Sequence, residues 1–154
     1  MQLIDNENVF QKTGARSGTV IAFDFGERRI GVAVGEHLLR VASPLTTIDN
    51  ESNEIRFQNI SALVSEWQPQ LLVVGLPLNV DGTSHSMTLL CKKFARRLNG
   101  RFNLPVALID ERYSSGQASA MLRESGIKGR AQKPILDQVA AQAILQSYFD
   151  SLQD

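Results

Sequence analysis

Cysteine and histidine are nearly missing from this chain: Cys91, His37 and His85 are all there are in 154 residues. One thiol excludes an internal disulfide, and two histidines beside it cannot complete a His/Cys zinc site. Cys91 lies among apolar and basic residues of a helical stretch and reads as a small buried hydrophobe. Aromatic residues make up only 6%, and no stretch interleaves them with bases as a single-strand stacking platform does. Long apolar runs are also absent. None approaches the roughly 18 residues of a membrane span, and the polar N-terminus is no signal peptide, so the expectation is a cytoplasmic protein without a membrane partner. Net charge is the last absence: sixteen Lys and Arg balance sixteen Asp and Glu. An anionic partner must then be met by a local patch.

What is present is an ordinary globular composition, 43% hydrophobic and 21% charged, in a length that suits one domain. Residues 1–17 lack periodicity and read as a flexible tail before a single domain over 18–154. Three closely spaced apolar runs, 19–25, 30–36 and 38–42, predict an antiparallel meander. Helical spacing follows over 51–69, with Trp67 in its apolar stripe, and "LLVVG" (71–75) is a strand covered on both faces. A second helix starts with the capping-type residues of "TSHS" and ends at Gly100. "PVALID" (105–110) is a strand, 115–125 a short helix, and 126–133 a loop rich in Gly, Lys and Arg. Pro134 opens the last helix. Three meander strands followed by βα units predict an α/β fold, one mixed sheet with helices on both faces.

Three acids occupy places that solvation explains poorly. Asp24 ends the first core strand, Glu111 directly follows "VALID", and Asp137 sits in the first turn of the last helix among apolar and small neighbours. If the first and last core strands are parallel, Asp24 and Glu111 emerge at one carboxyl edge, where open α/β sheets bind ligands. Carboxylates without His or Cys suit hard cations, Mg2+ or Mn2+, and two such ions about 4 Å apart promote phosphodiester hydrolysis. Each acid has a plainer reading. Asp24 caps the turn at Gly26, Glu111 pairs with Arg112, or Asp137 meets a helix dipole. Asp110 and Glu111 point to opposite faces, and local pattern leaves open which one joins Asp24.

"DFGERRIGVAVG", "VVGLPLNVDGT", "DERYSS" and "KPILDQVAAQAILQSY" together resemble the YqgF/RuvX family of pre-16S rRNA nucleases, similar to Holliday junction resolvases, over residues 19–150. The resemblance implies a ribonuclease H-like fold, a five-stranded sheet of order 3-2-1-4-5 with the second strand antiparallel. It implies a metal-dependent endonuclease acting at the 5′ end of the small-subunit RNA precursor. Asp24, Glu111 and Asp137 become the metal-binding catalytic acids, and Glu111 is preferred to Asp110 by resemblance alone. Junction resolvases of this superfamily add a fourth acid in the last helix, whereas the next acid here is Asp150. The other readings are a junction-cutting DNA nuclease, an assembly or transcription factor that binds nucleic acid and cuts little, and a DxG-type ATPase, for which one domain is too short.

Basic and polar residues extend this expectation. Arg28 and Arg29 stand beside Asp24, while Arg112, Ser114 and Ser115 follow Glu111, with Tyr113 placed to stack on a base. Lys128, Arg130 and Lys133, with Arg123, lead towards Asp137 and suit a nucleic-acid backbone. Gly75, Asn79, Gly82 and Thr83 are candidates for a phosphate-binding loop, or else form a tight strand-to-helix turn. Lys92, Lys93, Arg96 and Arg97 read as the exposed face of a helix. The expected partners are precursor ribosomal RNA and its particles, bound by a monomer or homodimer.

Overall fold

β-Branched and apolar residues dominate "TVIAFDF", "RIGVAVGE" and "LLVVGL". Each is a strand in the computed structural model, which describes residues 3–5, 18–111 and 132–152. In chain order the elements are β1 (Leu3–Asp5), β2 (Thr19–Phe25), β3 (Arg29–Glu36), β4 (Ala42–Asp49) and α1 (Asn53–Trp67). They continue with β5 (Leu71–Leu76), α2 (Ser86–Phe102), β6 (Val106–Asp110) and α3 (Gln132–Asp150). The sheet runs β1-β6-β5-β2-β3-β4. β3 is antiparallel to β2 and β4, whereas β2, β5 and β6 are mutually parallel. The strands β4-β3-β2-β5-β6 thus follow the expected order.

Four details differ from the sequence reading. Residues 3–5, assigned to a tail, form a sixth strand parallel to β6. The outer backbone of β6 is otherwise an open edge, and pairing it needs no side-chain periodicity over so short a segment. The third meander strand lies at Ala42–Asp49 and not at 38–42, because residues 37–39 turn and Arg40 takes φ 55°. Leu38 and Leu39 are each 74% exposed, so that apolar run belongs to a hairpin tip. α2 passes Gly100 and stops at Asn103, whose φ of 55° lets its N–H bond the Asn99 carbonyl at 3.0 Å. α3 begins at Gln132, so Asp137 is in its second turn, and Pro134 sits where no intrahelical N–H is needed. The predicted helix at 115–125 and most of the basic loop lie outside the described residues.

Period-two alternation sorts the core into two layers. Val20 and Ala22 of β2, Ala33 of β3, Val73 of β5, and Ala107 and Ile109 of β6 face α3, where Ile144, Leu145, Tyr148 and Phe149 are buried. Ile21, Phe23, Ile30, Val32, Leu72, Val74 and Val106 face the other way, against Phe57 and Ile60 of α1 and Cys91, Phe94 and Leu98 of α2. Cys91 is buried there as expected.

The α3 side of β3 is a shelf of small residues. Its large residues Ile30 and Val32 point away, while Gly31, Ala33 and Gly35 alternate with them. A Cβ on Gly31 would lie 1.9 Å from the Asp137 carbonyl oxygen, so the helix rests directly on the strand backbone. That close approach brings the start of α3 down onto the end of β2. Among the described residues no helix is long and apolar enough to cross a membrane.

Candidate active site

Because β2, β5 and β6 are parallel, their carboxyl ends share one edge of the sheet. Asp24 continues the Val20–Ala22 face of β2, and Glu111 continues the Ala107–Ile109 face of β6. Both therefore turn towards α3, while Asp110 alternates to the opposite side. Geometry thereby selects Glu111 over Asp110. The two selected side chains share a hydrogen bond.

β5 lies between them, and the residue level with Asp24 there is Gly75, one position beyond the Phe23–Val74 pair. A Cβ on Gly75 would stand 2.4 Å from Ile144 Cδ1 and 2.7 Å from the Glu111 carboxyl carbon. A side chain at this position would wedge between the acids. On the other flank, Gly31 pairs directly with Asp24 and admits the Asp137 backbone. The row Gly31–Asp24–Gly75 is thus one carboxylate between two gaps, and each gap admits a second acid.

Electrostatics follows from this crowding. Burial raises the Asp24 carboxyl to about 6, against a lowering by the hydrogen bond from Glu111, with the Asp137 charge adding to the rise. Glu111 is pushed further, to about 8, first by burial, then by the Asp24 charge and hydrogen bond, and last by Asp110. The same two carboxylates assist burial in raising the Cys91 thiol to about 12, which leaves it inert.

Asp137 has a different partner. Arg29 Nε donates to Asp137 Oδ2 at 2.7 Å, with both side chains about one-quarter exposed. Among the described residues, no three carboxylate, imidazole or thiol groups stand together as they would around an ion. The third acid, Asp137, is instead held by Arg29 of β3.

One supporting residue was not singled out in the sequence. Arg56 of α1 is 3% exposed, and its guanidinium donates to the Glu27 carbonyl at 3.0 Å and to that of Gly26. It also lies 5.0 Å from the Phe25 ring centroid. Burial lowers its pKa. The turn after Asp24 is therefore fixed by Arg56, and Asp24 is left to the acid cluster. The place of Arg56 between two apolar residues, Ile55 and Phe57, was the only signal available.

The other expected site residues divide. Arg28 projects into solvent at the same edge, 3.7 Å from Asp49, an exposed pair of little energetic weight. Gly75 belongs to β5 and not to a loop. The loop at Asn79, Gly82 and Thr83 closes on itself. Thr83 donates its N–H at 3.0 Å and its hydroxyl at 2.6 Å to Asp81, and the Asn79 amide reaches the Thr83 hydroxyl at 2.9 Å. The Thr83 donors thus already serve a carboxylate within the loop, and those of Asn79 and Gly82 serve Thr83 and the Asn79 carbonyl. His85 caps α2, accepting from the Met87 N–H at 3.2 Å, and His37 Nε2 lies 2.8 Å from the Tyr148 hydroxyl. Arg112, Tyr113, Ser114, Ser115, Arg123, Lys128 and Arg130 lie outside the described residues, as does the side chain of Lys133.

The family model described as RuvX: Holliday junction resolvase matches residues 18–151. A Methylobacillus flagellatus protein named "Putative pre-16S rRNA nuclease" is 65% identical over 135 residues, covering 88% of this chain and 92% of its own. A Nitrosomonas europaea protein of the same name is 61% identical over 138 residues, covering 90% and 93%. Among solved structures, T. thermophilus RuvC in complex with a Holliday junction substrate gives a TM-score of 0.54 at 19% identity, covering 86% and 93%. The Fowlpox virus resolvase bound to Holliday junction DNA gives 0.56 at 12% identity, covering 88% and 99%. At these identities the two structures speak for a shared ribonuclease H-like fold.

Proposed function

From the premise that this chain belongs to the RuvX family, we propose that it is a nuclease hydrolysing phosphodiester bonds of structured RNA. Processing of pre-16S ribosomal RNA is its setting, in keeping with the names of its relatives, and on this reading the chain works at the 5′ end of the precursor in the cytoplasm. One observation carries this reading: a half-buried, hydrogen-bonded carboxylate pair, Asp24 and Glu111, with Asp137 adjoining, at the ligand-binding edge of the sheet.

The donor set fits a hard divalent cation, Mg2+ or Mn2+. Two acids with raised pKa values and only oxygen atoms to offer gain most from a cation that neutralises their repulsion. Asp24 and Glu111 would hold it, with Asp137 joining them once it leaves Arg29. When bound, the ion supplies Lewis-acid polarisation of a phosphoryl oxygen and a more acidic water. The chain's own residues do the rest. Arg56 fixes the turn that leads into β3, where the Arg29 guanidinium lies against Asp137, while Arg28 stands exposed at the same edge and would meet a phosphate backbone from solvent. Arg29, released from Asp137, is the nearer of the two to the acids.

Cleavage of labelled RNA with Mg2+ or Mn2+ tests this directly. Asp24→Asn should lose activity by at least about a hundredfold while still folding. If it cuts as well as the parent, the acid-centred reading fails. A junction-cutting role has one point in its favour, the description of the matching family model, and a four-way DNA junction belongs in the same substrate panel. Against it, the next acid after Asp137 is Asp150, at the far end of α3.

A further inference from the structure

α2 carries Lys92, Lys93, Arg96, Arg97 and Arg101 but no acid in its seventeen residues. In a chain of zero net charge this is a strong local asymmetry. The buried side of the helix is Thr88, Cys91, Phe94, Ala95 and Leu98. All five cations lie off that stripe, with Lys93, Arg96, Arg97 and Arg101 exposed. Among the described residues none of the five forms an ion pair.

A merely solvated helix face has no reason to be built this way. Lys92–Arg96, Lys93–Arg97 and Arg97–Arg101 are like-charge pairs four residues apart, which weaken a helix, and alternating signs would solvate it equally well. Spacing adds a second point. Lys93, Arg97 and Arg101 repeat every four residues, so they form one line with steps of about 6 Å along the axis. That is the scale on which phosphates recur along a strand. The line ends at an open cavity of about 490 Å3 between α1 and α2, lined by Asn53, Glu54, Phe57, Arg97, Gly100 and Arg101. There the Arg101 guanidinium is held 5.3 Å from the Phe57 ring centroid, which orders one cation of the line before any partner arrives.

We propose that the basic ridge of α2 is a second nucleic-acid contact, a track for the phosphate backbone of a structured RNA arm. It rests on the nuclease reading for the identity of its partner. α2 leaves the acid-bearing edge after β5 and returns to the opposite edge before β6, so the ridge leads away from the acids across the α1–α2 side. A substrate held there extends beyond the bond being cut, so the ridge selects for RNA with an arm long enough to reach it. Its contacts are to the backbone, so it adds affinity for any such arm without reading its bases.

The test is the salt dependence of binding. Fluorescence anisotropy of a labelled RNA hairpin carrying a 5′ extension, in EDTA at several NaCl concentrations, compares the parent with K93Q/R97Q/R101Q. Each lost phosphate contact lowers the slope of log affinity against log salt by about one, so the triple variant should lose about two to three and bind at least about tenfold more weakly near 0.1 M salt. In cleavage assays the loss should fall on KM. K93Q alone should lower the slope by about one, which keeps the test open if the triple variant does not fold. Unchanged affinity and slope overturn the proposal and leave an acidic protein surface as the partner for such a helix. RNA bound with the expected slope but cut equally by Asp24→Asn defeats the nuclease mechanism and spares the ridge. Cleavage lost in Asp24→Asn with an unaltered slope in K93Q/R97Q/R101Q defeats the ridge alone.

Discussion

Replacing Glu111 by Gln should stabilise the metal-free protein while abolishing its chemistry. Gln keeps the length of the side chain and its hydrogen bond to Asp24, but removes one of two facing negative charges. Glu111 stands at about 8 in the fold against 4.5 without it. A carboxyl whose folded pKa is raised binds more protons folded than unfolded, so stability is present at low pH and lost as pH rises through that window. Each unit is worth about 1.4 kcal/mol, which caps the loss at about 5 kcal/mol once pH exceeds 8. Because Asp24 titrates with it and the site stays partly open to water, about 3 kcal/mol is the expected share. That corresponds to about 10 °C in melting temperature for a domain of this size. Thermal unfolding in EDTA at pH 8 should therefore place Glu111→Gln well above the parent, with the gap shrinking to a few degrees at pH 5. Excess Mg2+ should raise the parent and leave the variant almost unmoved. A variant no more stable than the parent at pH 8 in EDTA refutes the repulsion on which the proposed cation site rests.

Three other substitutions probe the frame of the site. Gly75→Ala puts a methyl group 2.7 Å from the Glu111 carboxyl carbon, and should cost about 1–3 kcal/mol in denaturant unfolding and about a hundredfold in cleavage. Arg56→Met deprives the Gly26 and Glu27 carbonyls of their donor, and should lower stability by about 2 kcal/mol by the same measurement. Arg29→Gln removes the cation that holds Asp137, so calorimetry should find Mg2+ binding several-fold tighter, while RNA affinity falls. Weaker Mg2+ binding in that variant means the pair supports the site and does not compete for it.

The sheet was legible wherever a strand is covered on both faces, because β2 and β5 must then be apolar throughout. It was not legible at the edges. β4 is an edge strand with exposed Ser43 and Pro44, so its composition carries little signal, whereas Leu38, Leu39 and Val41 form an apolar run that the chain spends on a hairpin tip. β1 is three residues, too few to show a period, paired with the outer side of β6. The end of α2 was misplaced for a related reason. Gly100 meets nothing within 4 Å and needs no special backbone, while Asn103 takes the left-handed conformation.

The acids themselves stood out as types and positions, but the reason they can meet did not. Asp24 and Glu111 lie 87 residues apart in the chain, and only the pairing of β5 between their strands makes them neighbours. The small residues that permit the meeting were visible in "RIGVAVG", where large and small side chains alternate, and in "LLVVGL", where a glycine interrupts an apolar run. Such a pattern marks a surface that another element approaches to backbone contact, here α3 on β3 and the Glu111 side chain over β5. Filling either gap would improve strand propensity and separate the carboxylates. The glycines that weaken two core strands are therefore the residues that set the spacing of the acids, and the crowding that follows is what a bound cation would relieve.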